Sequence, residues 1–536
     1  MPKWRSAALL GATLAVCVLA PEGGRWGRMR AETSTRPHIV LVTVDELDVE
    51  MMEIMRAFGF LPNIQTYVAA PGVVFSQSFV TNALGCPSRV TAMTGRYAHN
   101  HGVLSTDVPN PDEYGCVRAL DDTATLATWL QGAGYRTGHV GRYLFGYGKD
   151  PSADPSTSHH PAYIPPGWDD WQTLVDPSTY SMYGFTVNDN GLLVQHPATL
   201  QEYQTAVLAQ RAQQFVQETL SGFPGQPLFL EVNPAALNIE LVTLYLAAAD
   251  GEHYTDLFRW FLRPDYRDQT AKPLRWNSIA ALPLLPSYKP SFNEADVSDK
   301  PEALRKPALG SLDLSYLTLR YRTRFAAMLA VDDLVGAVAT ALGPQRSNTM
   351  IVLTSDNGAL LGEHRMGEKS VAYEESIRVP LYIAGPGVAG GRIAPEIVLN
   401  NDLAPTIAEW AGLSPAQMDG RSLAPLLAGS TPGDWRKRLL LEHWSDGSLY
   451  DVPHYLAVRT GPADTPPQRL YVQYYGNEAD PDLVTDVELY DLNVDRYQMQ
   501  SLHADPARAA ERAALAAMLP SFASCGGSGQ PSCQSL

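Results

Sequence analysis

The chain has 536 residues, 45% of them hydrophobic, enough for one large core and a smaller one. Its formal net charge of −17 argues against nucleic acid or an anionic membrane surface as the main partner. An anionic substrate would have to be captured by a local cluster of cations set against that background.

In chain order, Lys3 and Arg5 precede an apolar run from Ala7 to Ala20 that is too short for a membrane span. Residues 1–30 read as an export segment cleaved near Ala20. A lipoprotein reading at Cys17 is weakened by the bulk of Val16. No second run of that length follows, so an exported chain (secreted or periplasmic), without a membrane span, is expected. Four cysteines then remain, an even count that suits two disulfides in an oxidising compartment. The expected pairs are Cys525 with Cys533 and Cys86 with Cys116, with free or differently paired thiols as the alternative.

Three apolar runs end abruptly in polar residues. His38 to Val44 meets Asp45-Glu46, Pro227 to Val232 meets Asn233-Pro234, and Thr349 to Thr354 meets Ser355-Asp356-Asn357-Gly358. Such runs suit strands buried on both faces of a mainly parallel sheet. Met328, Val331, Val335, Val338 and Leu342 recur at helical spacing, and Asp402 is placed to cap a following helix. The segment between Asn238 and Ser311 reads as an insertion over the site. From about residue 433 four short strand candidates follow: 438–442, 455–460, 469–475 and 487–492, then a terminal helix near 506–519. The expected architecture is α/β: a mixed, mainly parallel sheet sandwiched by helices over 36–432, with a small antiparallel sheet subdomain over 433–536. Its site belongs at the carboxyl ends of the strands.

That is where the acidic residues fall. Asp45, Glu46, Asp356 and Asn357 offer the oxygen donors that a hard cation such as Ca2+ takes. Surface turns use the same pairs, and their position after buried strands favours the metal reading. In Gly85-Cys86-Pro87-Ser88-Arg89, Pro87 suits a first helical turn, whose free N–H groups attract an anion. Arg89 adds a permanent charge for two sulfate or carboxylate oxygens, with a structural arginine as the alternative.

These residues, with Thr94-Gly95-Arg96 close behind, resemble the C-x-P-S-R signature of the sulfatases of the alkaline-phosphatase superfamily. The closest likeness is to the N-acetylglucosamine-6-sulfatase and heparan-sulfatase branch, over roughly 36–502. Tyr97 to Gly102, Gly141 to Leu144, Val331 to Leu334, Ser355 to Gly358, Gly362-Glu363-His364, Val379 to Leu381 and Glu488 to Leu492 carry it further. The resemblance implies hydrolysis of carbohydrate sulfates or small sulfate esters by a formylglycine beside a divalent cation. It implies metal ligation by Asp45, Glu46, Asp356 and Asn357. It gives Arg89, Arg142 and Lys369 catalytic positions, and His101 and His364 contact with substrate. For His99 and His101 the plainer reading is a hydrogen-bonded, partly buried imidazole.

The departures matter as much. Gly85 stands where the cysteine precursor of the nucleophile belongs, and Cys86 is one residue out of register. Glu46 replaces an aspartate, Arg142 a lysine, and Leu237 aligns with a histidine. Loss of the nucleophile removes on the order of 10⁶ in turnover in comparable enzymes. The expected function is therefore a sulfuric-ester-hydrolase-family protein of impaired activity, the alternative a non-catalytic binder of sulfated glycans or other anions. A metal-dependent phosphoesterase is a weaker third reading.

Overall fold

The computed structural model describes residues 36–106, 116–238, 286–367, 369–415, 417–445, 452–476, 483–526 and 532–535. The export segment and residues 239–285 of the expected insertion lie outside the described residues.

Ten strands form the main sheet: β1 (His38–Val44), β2 (Val73–Phe79), β3 (Arg136–Gly141), β4 (Asp170–Leu174), β5 (Thr186–Asp189), β6 (Leu192–Gln195), β7 (Leu228–Asn233), β8 (Thr349–Ser355), β9 (Leu381–Ala384) and β10 (Arg392–Leu399). Their order is β10-β2-β9-β8-β1-β7-β3-β4-β5-β6. Only β5 and β9 run against the others. Every residue of β1, β7 and β8 is buried, which is why these three read as unbroken apolar runs.

Alternate residues of β1 go to opposite faces. Val40, Val42 and Val44 join one core with the helices Gln204–Gly222 and Ser311–Leu342, while Ile39 and Leu41 join another with the helices Leu126–Gly132 and Leu403–Trp410. The fold is thus the expected α/β sandwich.

A separate antiparallel sheet follows: β11 (Arg438–His443), β12 (Tyr455–Thr460), β13 (Arg469–Tyr475) and β14 (Val484–Asp491). The C-terminal helical residues form Ala509–Ala516 and Leu519–Ala523 rather than one helix. Both expected disulfides, Cys86–Cys116 and Cys525–Cys533, are formed.

Two expectations need correction. Asp402 does not cap the helix Leu403–Trp410 with its side chain. Its carboxylate accepts from Leu399 N, Arg421 N and the Arg436 guanidinium, closing the turn one step earlier. A second long apolar run does exist: 311–348 is long and apolar enough to cross a membrane, yet 72% of its most apolar window is buried inside the fold. Burial of that kind is what a core helix shows.

Candidate functional site

The register of β1 with β8 sets Val44 against Ser355, so Asp45 and Asp356 emerge side by side. On the other flank β7 pairs with β3, Asn233 against Gly141, which delivers Arg142 to the same place. Only glycine serves at 141: its φ is +111° and a Cβ would run into the Asn233 carbonyl. The helix Gly85–Thr94 brings its first residue here, and Leu84 at its N-cap supplies no side-chain acceptor. An uncapped N-terminus of this kind favours an anion.

The charged side chains are buried and bonded to one another. Arg142 donates to Asp45 Oδ2 and, at 3.2 Å, to Asp356 Oδ2. Its guanidinium carbon lies 5.1 Å from the Tyr180 ring centre. Arg89 Nε donates to Asp356 Oδ2 at 2.9 Å, while both its Nη atoms are buried without a partner. Glu46 sits at φ +59°, in the left-handed region, and its N–H donates to Asp356 Oδ1 at 3.1 Å. Its carboxylate accepts from Lys369 Nζ at 2.8 Å, Arg320 at 3.2 Å and Arg324 at 3.4 Å.

These contacts fix the charge states. Burial alone would push the Glu46 carboxyl up, but Lys369, Arg320 and Arg324 hold it below the usual range. Asp356 is likewise pushed up by burial and held down by Arg89, Arg142 and Lys369. Burial would lower Lys369, and Glu46, Asp45 and Asp356 raise it instead. Glu46 and Asp356 are therefore held as carboxylates and Lys369 as an ammonium.

The calcium ion that the resemblance implies fits this set at two atoms. Asp45 Oδ1 and Asn357 Oδ1 are buried without a partner, as ligand oxygens for a hard cation would be. The remaining arrangement does not fit it. Oδ2 of both aspartates faces Arg142, and Glu46 is turned to three cations, so in this arrangement Glu46 serves as a counter-ion.

His101 is engaged elsewhere: its Nε2 lies 3.0 Å from Thr91 Oγ1, and its Nδ1 accepts from Val103 N at 3.1 Å. Burial, with Arg96 and His99 nearby, pushes its pKa down to about 3, so the ring is neutral and both nitrogens are committed. His364 places Nδ1 2.6 Å from Glu294 Oε2 and keeps Nε2 buried without a partner. Among the described residues, neither histidine hydrogen-bonds to the Asp45–Asp356 cluster.

Four participants were not found from the sequence: Arg320, Arg324, Tyr180 and Asn238, whose amide donates to Asp45 Oδ2 at 3.2 Å. Arg320 and Arg324 did leave a signal. They precede Met328, Val331 and Val335 at steps of four, four, three and four, so they continue the buried stripe of the long helix towards the site. An arginine on an apolar stripe needs a buried anion, and Glu46 is that anion.

A family model described as Sulfatase matches residues 37–413. The chain belongs to the sulfatase family. A second model, for the C-terminal part of N-sulphoglucosamine sulphohydrolase, matches residues 362–523. Human N-acetylglucosamine-6-sulfatase is 28% identical over 497 residues, covering 85% of this chain and 82% of that protein. An extracellular sulfatase SULF-1 homolog of Drosophila melanogaster is 29% identical over 425 residues, but this chain covers 33% of its length. Among solved structures, BT4656 in complex with its substrate D-glucosamine-2-N,6-O-disulfate aligns with a TM-score of 0.65 at 22% identity, over 90% of this chain and 97% of that one. The sulfatase family is generally dependent on a divalent cation.

Proposed function

We propose that this sulfatase-family protein recognises sulfate monoesters of carbohydrates, of the glucosamine-sulfate class, and that its turnover is impaired because residue 85 supplies no nucleophile. The observation that carries the reading is the geometry at Gly85. A Cβ built there would lie 3.4 Å from Asp356 Oδ2 and 3.0 Å from an Arg142 Nη, so the missing side chain would have faced into the charged cluster. Glycine has no side-chain atom to oxidise, hydrate or sulfate. What persists is the recognition half of the chemistry: Arg89 with its bare Nη atoms, Arg142, and Lys369 against Glu46. Export, and a division of the mature chain near residue 433, belong to the same reading. The name of the Drosophila relative, an extracellular sulfatase, supports the first, and the separate four-stranded sheet the second.

The test is steady-state hydrolysis of a chromogenic aryl sulfate and of glucosamine 6-sulfate, first with calcium and then with chelator. Turnover at background is expected, as is a saturable binding isotherm for the sulfated sugar. Chelator-sensitive turnover well above background would overturn the impairment and require another nucleophile. Absence of both turnover and binding in folded protein would remove the sulfate-ester reading altogether.

A further inference from the structure

Gly85 and Arg142 are both departures from the sulfatase pattern, and the structure puts them in contact. A Cβ at 85 would meet the two Arg142 Nη atoms at 3.0 and 3.5 Å, so a longer side chain directed the same way would enter the guanidinium. Arg142 is in turn held in place by three fixed features. Its N–H donates to the Asn233 carbonyl at 2.7 Å, Tyr180 lies against its face, and Asp45 and Asp356 take the same Nη.

We propose that Gly85 and Arg142 are a matched pair. The guanidinium fills the room left by the absent side chain and bridges Asp45 and Asp356 as a built-in counter-ion. The centre then takes a tetrahedral oxyanion without a divalent cation.

The geometry of the cluster carries the proposal. Among the described residues, the ion-paired cluster joins five cations (Arg89, Arg142, Arg320, Arg324 and Lys369) to four carboxylates (Asp45, Glu46, Asp48 and Asp356). The Arg142 guanidinium already lies between the two aspartates, and Glu46 faces three of these cations. A dication between the aspartates would sit against that guanidinium in a water-poor site, where like charges repel most strongly. An anion also has donors waiting: both Arg89 Nη atoms and Arg142 Nε are buried without partners. A planar fork can span two carboxylates and still offer an N–H, which a lysine ammonium does less well at the same distance.

The proposal rests on the sulfate-ester reading for the identity of the anion, but its cation half is measurable independently. The first experiment titrates calcium into the wild-type protein and into Arg142→Met by calorimetry. Removal of the guanidinium should strengthen calcium binding by about tenfold or more. Equal or weaker binding in the variant, or tight binding by the wild type, would overturn the built-in counter-ion. The second titrates inorganic sulfate and, separately, inorganic phosphate into chelator-treated wild-type protein. Saturable binding of either is expected, and the arm that binds names the oxyanion. Loss of both on chelation, with binding restored by calcium, would overturn the metal-free site. If no anion binds with or without calcium, the sulfate-ester reading fails while the calcium comparison still stands or falls by itself. The third compares the melting temperatures of Gly85→Ala, Arg142→Lys and the double variant. Partial rescue of Gly85→Ala by Arg142→Lys is expected, and strict additivity would break the pairing.

Discussion

Two buried polar clusters divide this molecule, and they are satisfied to very different degrees. In the C-terminal sheet Glu488 is fully buried, and both its carboxylate oxygens are filled: Tyr373 and Tyr490 donate to Oε1 at 2.9 and 2.6 Å, Tyr474 to Oε2 at 2.7 Å. At the ends of β1 and β8 the side chains are equally buried, yet Asp45 Oδ1, Asn357 Oδ1 and both Arg89 Nη atoms have no partner. A buried polar group without a hydrogen bond costs stability, and an anion would supply the acceptor that the Arg89 Nη atoms lack. The first cluster is architecture, tying Tyr373 of the main unit to β13 and β14. The second is the receptor of the proposed function.

The largest effect that separates them is on stability. Glu488→Ala strands three buried tyrosine hydroxyls at once, and a loss of about 3–5 kcal/mol in urea unfolding is expected. A loss below about 1 kcal/mol would mean that water replaces the carboxylate readily and that the cluster is not structural.

Next comes the support of the receptor itself. The Cys86–Cys116 disulfide closes a separation of 30 residues beside Gly85. Cys116→Ser should cost about 3–4 kcal/mol on the chain-entropy model, and it should also weaken sulfate binding, because the N-terminus of the helix Gly85–Thr94 loses its anchor. An unchanged binding isotherm would show that Arg89 and Asp356 hold this helix without the disulfide.

How far this division could be read in advance depends on how local each signal is. The buried runs of β1, β7 and β8 were legible because every residue in them is inside, and the acidic ends followed from them. Of the four strands in the second sheet, β12 and β13 came out with the bounds that turn residues on either side imply. Arg320 and Arg324 were legible only as arginines continuing a buried stripe, without the partner that makes them site residues. Their anion, Glu46, is 274 and 278 residues away, and nothing near it in the chain announces the pairing. The cations around Glu46 were hidden for the same reason: an acidic residue after a buried strand suggests a metal ligand, and Lys369, Arg320 and Arg324 lie far along the chain. Asp402 failed through competition, since Arg436 and two backbone N–H groups claim its oxygens ahead of the helix behind it.

A smaller effect tests the receptor side directly. Asn357 Nδ2 donates to the Gly358 carbonyl at 2.8 Å, while its Oδ1 has no partner. Asn357→Ala removes one hydrogen bond together with one unpaired acceptor, and the two changes oppose each other. Stability should move by less than about 1 kcal/mol. A loss as large as that expected for Glu488→Ala would erase the contrast between the clusters.

The smallest effect lies between two neighbouring histidines whose pKa values are shifted in opposite directions. His99 places Nδ1 2.7 Å from Glu442 Oε2. Burial lowers its pKa, but Glu442 more than compensates, so it ends above the ordinary value. A raised pKa stabilises the fold fully below the unfolded value near 6.5, and that stabilisation is lost as pH rises through the folded value. His101 has the opposite sign. With a folded pKa of about 3 it favours the fold above pH 6.5, and the contribution is lost as pH falls towards 3. Imidazole resonances should show His99 titrating above pH 6.5 while His101 stays neutral throughout the mildly acidic range. If His101 titrated near 6.5 instead, its bonds to Thr91 and Val103 would be too weak to hold the ring neutral.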